Sequence, residues 1–127
     1  MVKGIEHTAI ASPDPERLAK WYVDHLQFTI NYRSSNSRTH FVKAEDGSMI
    51  EIIESKGTAP GLPGMRDPGI RHMAITVTDF EGECLRLREL GVPFLKEPET
   101  VGGNSTVFFA DCDGNILHLL HRERPLD

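Results

Sequence analysis

Apolar and polar residues alternate from Ile5 to Ala11, which predicts a short strand with Ile5, His7 and Ala9 on one face. After Ser12-Pro13-Asp14-Pro15 the period changes. Leu18, Trp21, Tyr22 and Leu26 recur at three- and four-residue spacing, the stripe of an amphipathic helix. Asp14 is suited to cap that helix and Pro15 to open it, and Trp21 and Tyr22 are expected in the core. Strands are then predicted over 27–33, 39–44 and 49–54, with a turn at 34–37 and a hairpin turn at Asp46-Gly47. The order of this first stretch is β-α-β-β-β.

The same order returns later in the chain. Residues 70–76 read as a strand, and Asp79 as the cap of a helix carrying Cys84, Leu87 and Leu90, which Gly91 stops. Strands are predicted over 92–96, 106–110 and 115–121, with 97–104 as a loop and Asp113-Gly114 as a turn. The segment 55–68 has three prolines and three glycines in fourteen residues, and reads as a linker or a loop over a site. The polar tail from Arg122 is expected to fray.

Direct repetition underlies this duplicated plan. Gly4-Ile5-Glu6-His7-Thr8-Ala9-Ile10 returns sixty-five positions on as Gly69-Ile70-Arg71-His72-Met73-Ala74-Ile75, with five of seven residues identical. Asp46-Gly47-Ser48-Met49-Ile50-Glu51 returns as Asp113-Gly114-Asn115-Ile116-Leu117-His118, so that Glu51 falls on His118. The expected organisation is one domain over 1–127, with unit one at about 4–54, a linker at 55–68 and unit two at about 69–121. A sheet with one open apolar face cannot hide it alone, so the two units are expected to pair as one α+β domain around a shared cavity.

Composition narrows the functions. With 127 residues, 39% of them hydrophobic and 26% charged, the chain suits a globular domain. A net charge of −5 argues against nucleic acid as a partner. No run approaches the length of a membrane span, and the N-terminus has no apolar signal core, so a cytoplasmic location is expected. Cys84 and Cys112 occupy unrelated positions of the two units and read as free thiols.

His7, Glu51, His72 and His118 occupy equivalent points of the two units, each flanked on its strand face by apolar residues. A lone histidine in such a place is ordinarily a hydrogen-bonded core residue. Four metal-ligand side chains at matched positions are harder to explain so, and a carboxylate between Met49 and Ile53 needs a partner. A divalent cation held by the four would supply it. His25 is expected on the polar side of its helix and His121 on the face opposite His118. Arg33, Arg38, His40 and Arg66 are cationic candidates for an acidic group of a substrate.

These histidine strands, the run Trp21-Tyr22-Val23-Asp24-His25-Leu26-Gln27-Phe28 and the turn Asp111-Cys112-Asp113-Gly114-Asn115 resemble the vicinal oxygen chelate superfamily, which includes glyoxalase I, extradiol dioxygenases and bleomycin resistance proteins. The resemblance runs from Gly4 to His121. It implies two β-α-β-β-β units forming an incomplete barrel, a homodimer, and a divalent metal (zinc, nickel, cobalt or iron) held by His7, Glu51, His72 and His118. The last of these ligands is usually a glutamate in that family; here it is His118. The leading expectation is a lyase or isomerase, in which the metal grips two neighbouring oxygens of a small substrate and Glu51 is the catalytic base. The alternatives are an extradiol-type dioxygenase using ferrous iron, and a metal-free drug-binding protein.

Overall fold

The computed structural model describes residues 1–57 and 63–126. It divides into two compact units, Met1–Pro60 and Gly61–Asp127, with the division inside the expected linker. Part of that linker lies outside the described residues, and 63–70 contains no helix or strand.

Unit 1 contains β1 (His7–Ser12), α1 (Pro15–Leu26), β2 (Thr29–Arg33), β3 (His40–Lys43) and β4 (Met49–Glu54). Unit 2 repeats the order with β5 (Met73–Thr76), α2 (Phe80–Glu89), β6 (Glu99–Val101), β7 (Asn104–Ala110) and β8 (Ile116–Arg122). Each unit forms an open four-stranded sheet, ordered β1-β4-β3-β2 and β5-β8-β7-β6. The first and last strands of each unit pair in parallel, and the other pairs are antiparallel. The parallel pairing brings residues far apart in the chain side by side: Ala9 stands opposite Glu51, and Ala74 opposite His118.

One helix covers one face of each sheet. Asp14 caps α1 by accepting from the Arg17 backbone N–H at 3.2 Å, and Pro15 occupies the first turn, where its missing N–H costs nothing. Leu18, Ala19 and Tyr22 are buried with Val42, Ile50 and Ile52 of unit 1. Trp21 departs from its expected place. It is only half-buried and stacks on His25 at 4.6 Å between ring centres, because its position one residue before Tyr22 turns it toward the helix flank. Asp79 caps α2 through the Gly82 N–H at 3.1 Å. Leu87 of α2 and Val107, Phe109, Leu117 and Leu119 of the sheet form the core of unit 2. Neither Cys84 nor Cys112 is in a disulfide.

Two strand expectations need correction. Residues 92–96 form no strand; Phe94 makes one isolated bridge to Phe109, and prolines at 93 and 98 leave no N–H for a continuous ladder. Strand β6 lies within the stretch expected as a loop. It pairs with β7 through Gly102-Gly103, whose φ angles of +59° and +81° suit a two-residue hairpin turn. The first strand of each unit also begins later than the alternation predicts, at His7 and Met73. Ile5 and Ile70 therefore stand outside the ladders and are exposed rather than buried.

Candidate metal centre

In β4, Ile50 and Ile52 are buried on the side of α1, so Met49, Glu51 and Ile53 lie on the helix-free face. In β1, Ile10 and Ser12 are buried toward the helix side, and His7 stands on the same face as Glu51. His7 Nε2 is 3.7 Å from Glu51 Oε1. The other ring nitrogen, Nδ1, donates to the Glu6 carboxylate at 2.8 Å. The ring therefore lies between two carboxylates, those of Glu6 and Glu51. Glu6 thus orients the His7 imidazole, a contact the sequence reading did not assign to it. The Phe41 ring packs edge-on against His7 with centroids 5.3 Å apart.

Unit 2 builds the matching pair. Leu117 and Leu119 are buried in the core of the unit, which places His118 on the opposite face of β8. The Asp111 carboxylate holds the turn into this strand by accepting from the backbone N–H groups of Asp113 and Asn115, each at 3.0 Å, and from the Asn115 amide. His118 Nδ1 donates to the Leu119 carbonyl at 3.1 Å, leaving Nε2 as an acceptor. Burial pushes the His118 pKa below its ordinary value, and neighbouring His72 and Arg122 act in the same direction. The neutral ring this favours is the form that binds metal. His72, just before β5 and exposed, lies with its ring centroid 4.8 Å from that of His118, and Phe108 packs against both rings.

The four predicted ligands therefore occur as two pairs, His7 with Glu51 and His72 with His118. Among the described residues, no three His, Cys, Asp or Glu side chains gather as a cluster able to hold a metal. The donor chemistry of both pairs, three imidazoles and one carboxylate, fits a divalent ion of the zinc, nickel, cobalt or iron type.

The substrate candidates lie elsewhere. Arg38 reaches the helix side of sheet 1, where it bonds Asp14 at 3.1 Å, Glu54 at 2.7 Å and Glu16. His40 is buried on the same side, its Nδ1 donating to the Arg38 carbonyl at 2.9 Å. Neither shares the face of His7 and Glu51. Arg66 is exposed in the stretch of unit 2 that precedes β5. His121 lies opposite His118, as alternation predicts, with Nδ1 donating to the Val77 carbonyl at 3.2 Å.

The profile of the Glyoxalase/Bleomycin resistance protein/Dioxygenase superfamily matches residues 4–119, and the chain belongs to that superfamily. A probable lactoylglutathione lyase of Synechocystis is 27% identical over 130 residues, covering 95% of this chain and 97% of the relative. A glyoxalase family protein from Enterococcus faecalis superposes with a TM-score of 0.77 at 26% identity, covering 94% of this chain and 98% of that one. A glyoxylase/bleomycin resistance protein/dioxygenase domain from Frankia sp. EAN1pec gives a TM-score of 0.78 at 23% identity over 98% of this chain and 96% of its own, a likeness of fold. Among the described residues, no helix is long and apolar enough to cross a membrane.

Proposed function

We propose that this chain is a metal-dependent, glyoxalase-like lyase or isomerase acting on a small substrate that chelates the metal through neighbouring oxygens. The observation that carries this reading is the convergence of His7 Nε2 and Glu51 Oε1, two metal-ligand atoms 3.7 Å apart on the helix-free face of their sheet. His72 and His118, at the equivalent points of unit 2, are proposed as further ligands by their place in the repeat. A divalent ion bound there supplies Lewis acidity toward a carbonyl oxygen. The residues of the chain do the rest. Glu6 fixes the orientation of His7. Glu51 takes the proton beside the carbonyl, because it is the one carboxylate in the set. Phe41 and Phe108 pack against the His7 and His118 rings and restrict their orientation. The name of the Synechocystis relative supports the lyase class.

A homodimer is part of the same proposal. Ile5 and Ile70, at matched positions of the repeated motif, are both exposed, as is Ile53 on the helix-free face. Apolar surface at the same place in each unit is suited to an interface. Sedimentation at micromolar concentration is expected to give a dimer; a monomer would count against this part.

The test of function is turnover on a panel of α-keto aldehydes, hydroxy acids and catechols, with and without chelator. Chelator-sensitive turnover of the keto aldehydes or hydroxy acids supports the proposal. Oxygen consumption with catechols on iron-loaded protein would replace it with a dioxygenase.

A further inference from the structure

Unit 2 has a cleft of about 400 Å³ on the helix side of its sheet, lined by Asp79, Phe80, Glu81, Glu99, Ser105 and His121 among others. It lies away from His118, whose side chain points to the opposite face. The internal repeat shows what this kind of place holds. In unit 1 the residues at the matching positions are Asp14, Glu16, Arg38 and Glu54. There the Arg38 guanidinium fills the space, bonded by Asp14 from the helix cap, Glu16 from the first turn and Glu54 from the last strand.

Two carboxylates are retained in unit 2, since Asp79 matches Asp14 and Glu81 matches Glu16. The filling side chain is gone. Arg38 is replaced by Ser105, which pairs across the ladder with His121, the residue at the place of Glu54. His121 donates through Nδ1 to the Val77 carbonyl, so Nε2 of its neutral ring is left as an acceptor. Among the described residues, no cation pairs with Asp79 or Glu81. Glu99 at the rim has Lys96 at 3.3 Å. A helix N-terminus ordinarily favours an anion. Asp79 already answers that preference through the Gly82 N–H, and Asp14 in unit 1 caps its helix and binds Arg38 with the same oxygen.

We propose that the unit 2 cleft binds a guanidinium group supplied from outside the unit, with Asp79 and Glu81 as counter-charges and His121 Nε2 and Ser105 Oγ as further acceptors, at the position that Arg38 fills in unit 1. The planar, five-donor guanidinium matches a set of carboxylates approaching from several sides better than an ammonium does. The group belongs either to a small organic cation or to an arginine side chain of a polypeptide. This inference does not rest on the proposed metal chemistry and stands or falls separately from it.

The test is NMR titration of the full chain with ethylguanidinium, with its neutral counterpart ethylurea, and with the peptide acetyl-Gly-Arg-Gly-amide. Ethylguanidinium or the peptide is expected to shift the amides of 78–81, 99–105 and 121, while ethylurea does not. Tighter binding of the peptide assigns the group to a polypeptide, and tighter binding of ethylguanidinium to a small cation. Glu81→Gln is expected to weaken binding about tenfold, as loss of a charge-assisted partner does. Ser105→Arg, which supplies the guanidinium from within, is expected to abolish it. Equal response to ethylurea, shifts outside the cleft, or binding that survives Glu81→Gln unchanged would overturn the proposal, and the last reading remains available if Ser105→Arg fails to fold.

Discussion

His7 Nε2 and Glu51 Oε1 face each other across 3.7 Å, from the first and last strands of unit 1. They are forty-four positions apart in the chain, and only the parallel pairing of β1 with β4 makes them neighbours. Glu51→Gln keeps the shape of this pair and removes its charge. It is expected to abolish lyase or isomerase turnover, because His118 leaves the set with no second carboxylate to act as base. His118→Glu is expected to retain metal, with a less acidic bound water, since an added carboxylate lowers the net positive charge of the centre. Steady-state kinetics and metal content of both variants check this, and full activity in Glu51→Gln would remove Glu51 from the base role.

The Arg38 cluster makes unit 1 sensitive to acid. Hydrogen bonds from Arg38 hold the Glu16 pKa down to about 2, from an ordinary value of 4.5. A carboxylate whose folded pKa is depressed binds fewer protons in the folded state than in the unfolded one. Its stabilising contribution is therefore present above about pH 4.5 and lost as pH falls toward 2. Denaturant unfolding of wild type and Glu16→Gln is expected to differ at pH 6 and to converge toward pH 2. A difference that stays constant over that range would contradict the assignment.

Gln27 ends α1 in the left-handed region, at φ +61°, with the Phe28 N–H bonded to the Tyr22 carbonyl at 3.3 Å. Glycine adopts this conformation without a Cβ penalty of roughly 1 kcal/mol. Gln27→Gly is expected to raise the thermal midpoint by a few degrees, on the order of 1 kcal/mol of stability. A lowered midpoint would show that the Gln27 side chain contributes more than its backbone strain costs.

Much of this architecture is legible in the chain, and the rest is hidden for physical reasons. Alternation and capping residues locate α1, α2 and β4 closely, because Asp14, Asp79 and the Met49–Glu54 pattern act locally. The repeat places His7 and His72 at matched points. What the sequence hides is side-chain direction and partnership. Arg38 and His40 read as substrate candidates in one dimension; the structure places both on the helix side of sheet 1, His40 by strand alternation and Arg38 by its bonds to Asp14, Glu16 and Glu54. Strand β6 escapes notice because its signal is a Gly102-Gly103 turn between polar residues rather than an apolar run. Glu6 lies beside His7 in the sequence, yet only the 2.8 Å contact gives it a role.

The central claim, that His7, Glu51, His72 and His118 act as one ligand set, is tested most directly by the metal content of purified wild type, His7→Ala and His72→Ala, with His25→Ala as the control. The account predicts a bound divalent ion of the zinc, nickel, cobalt or iron type in wild type and His25→Ala, and its loss in both His7→Ala and His72→Ala. Unchanged metal content in His7→Ala and His72→Ala would contradict it.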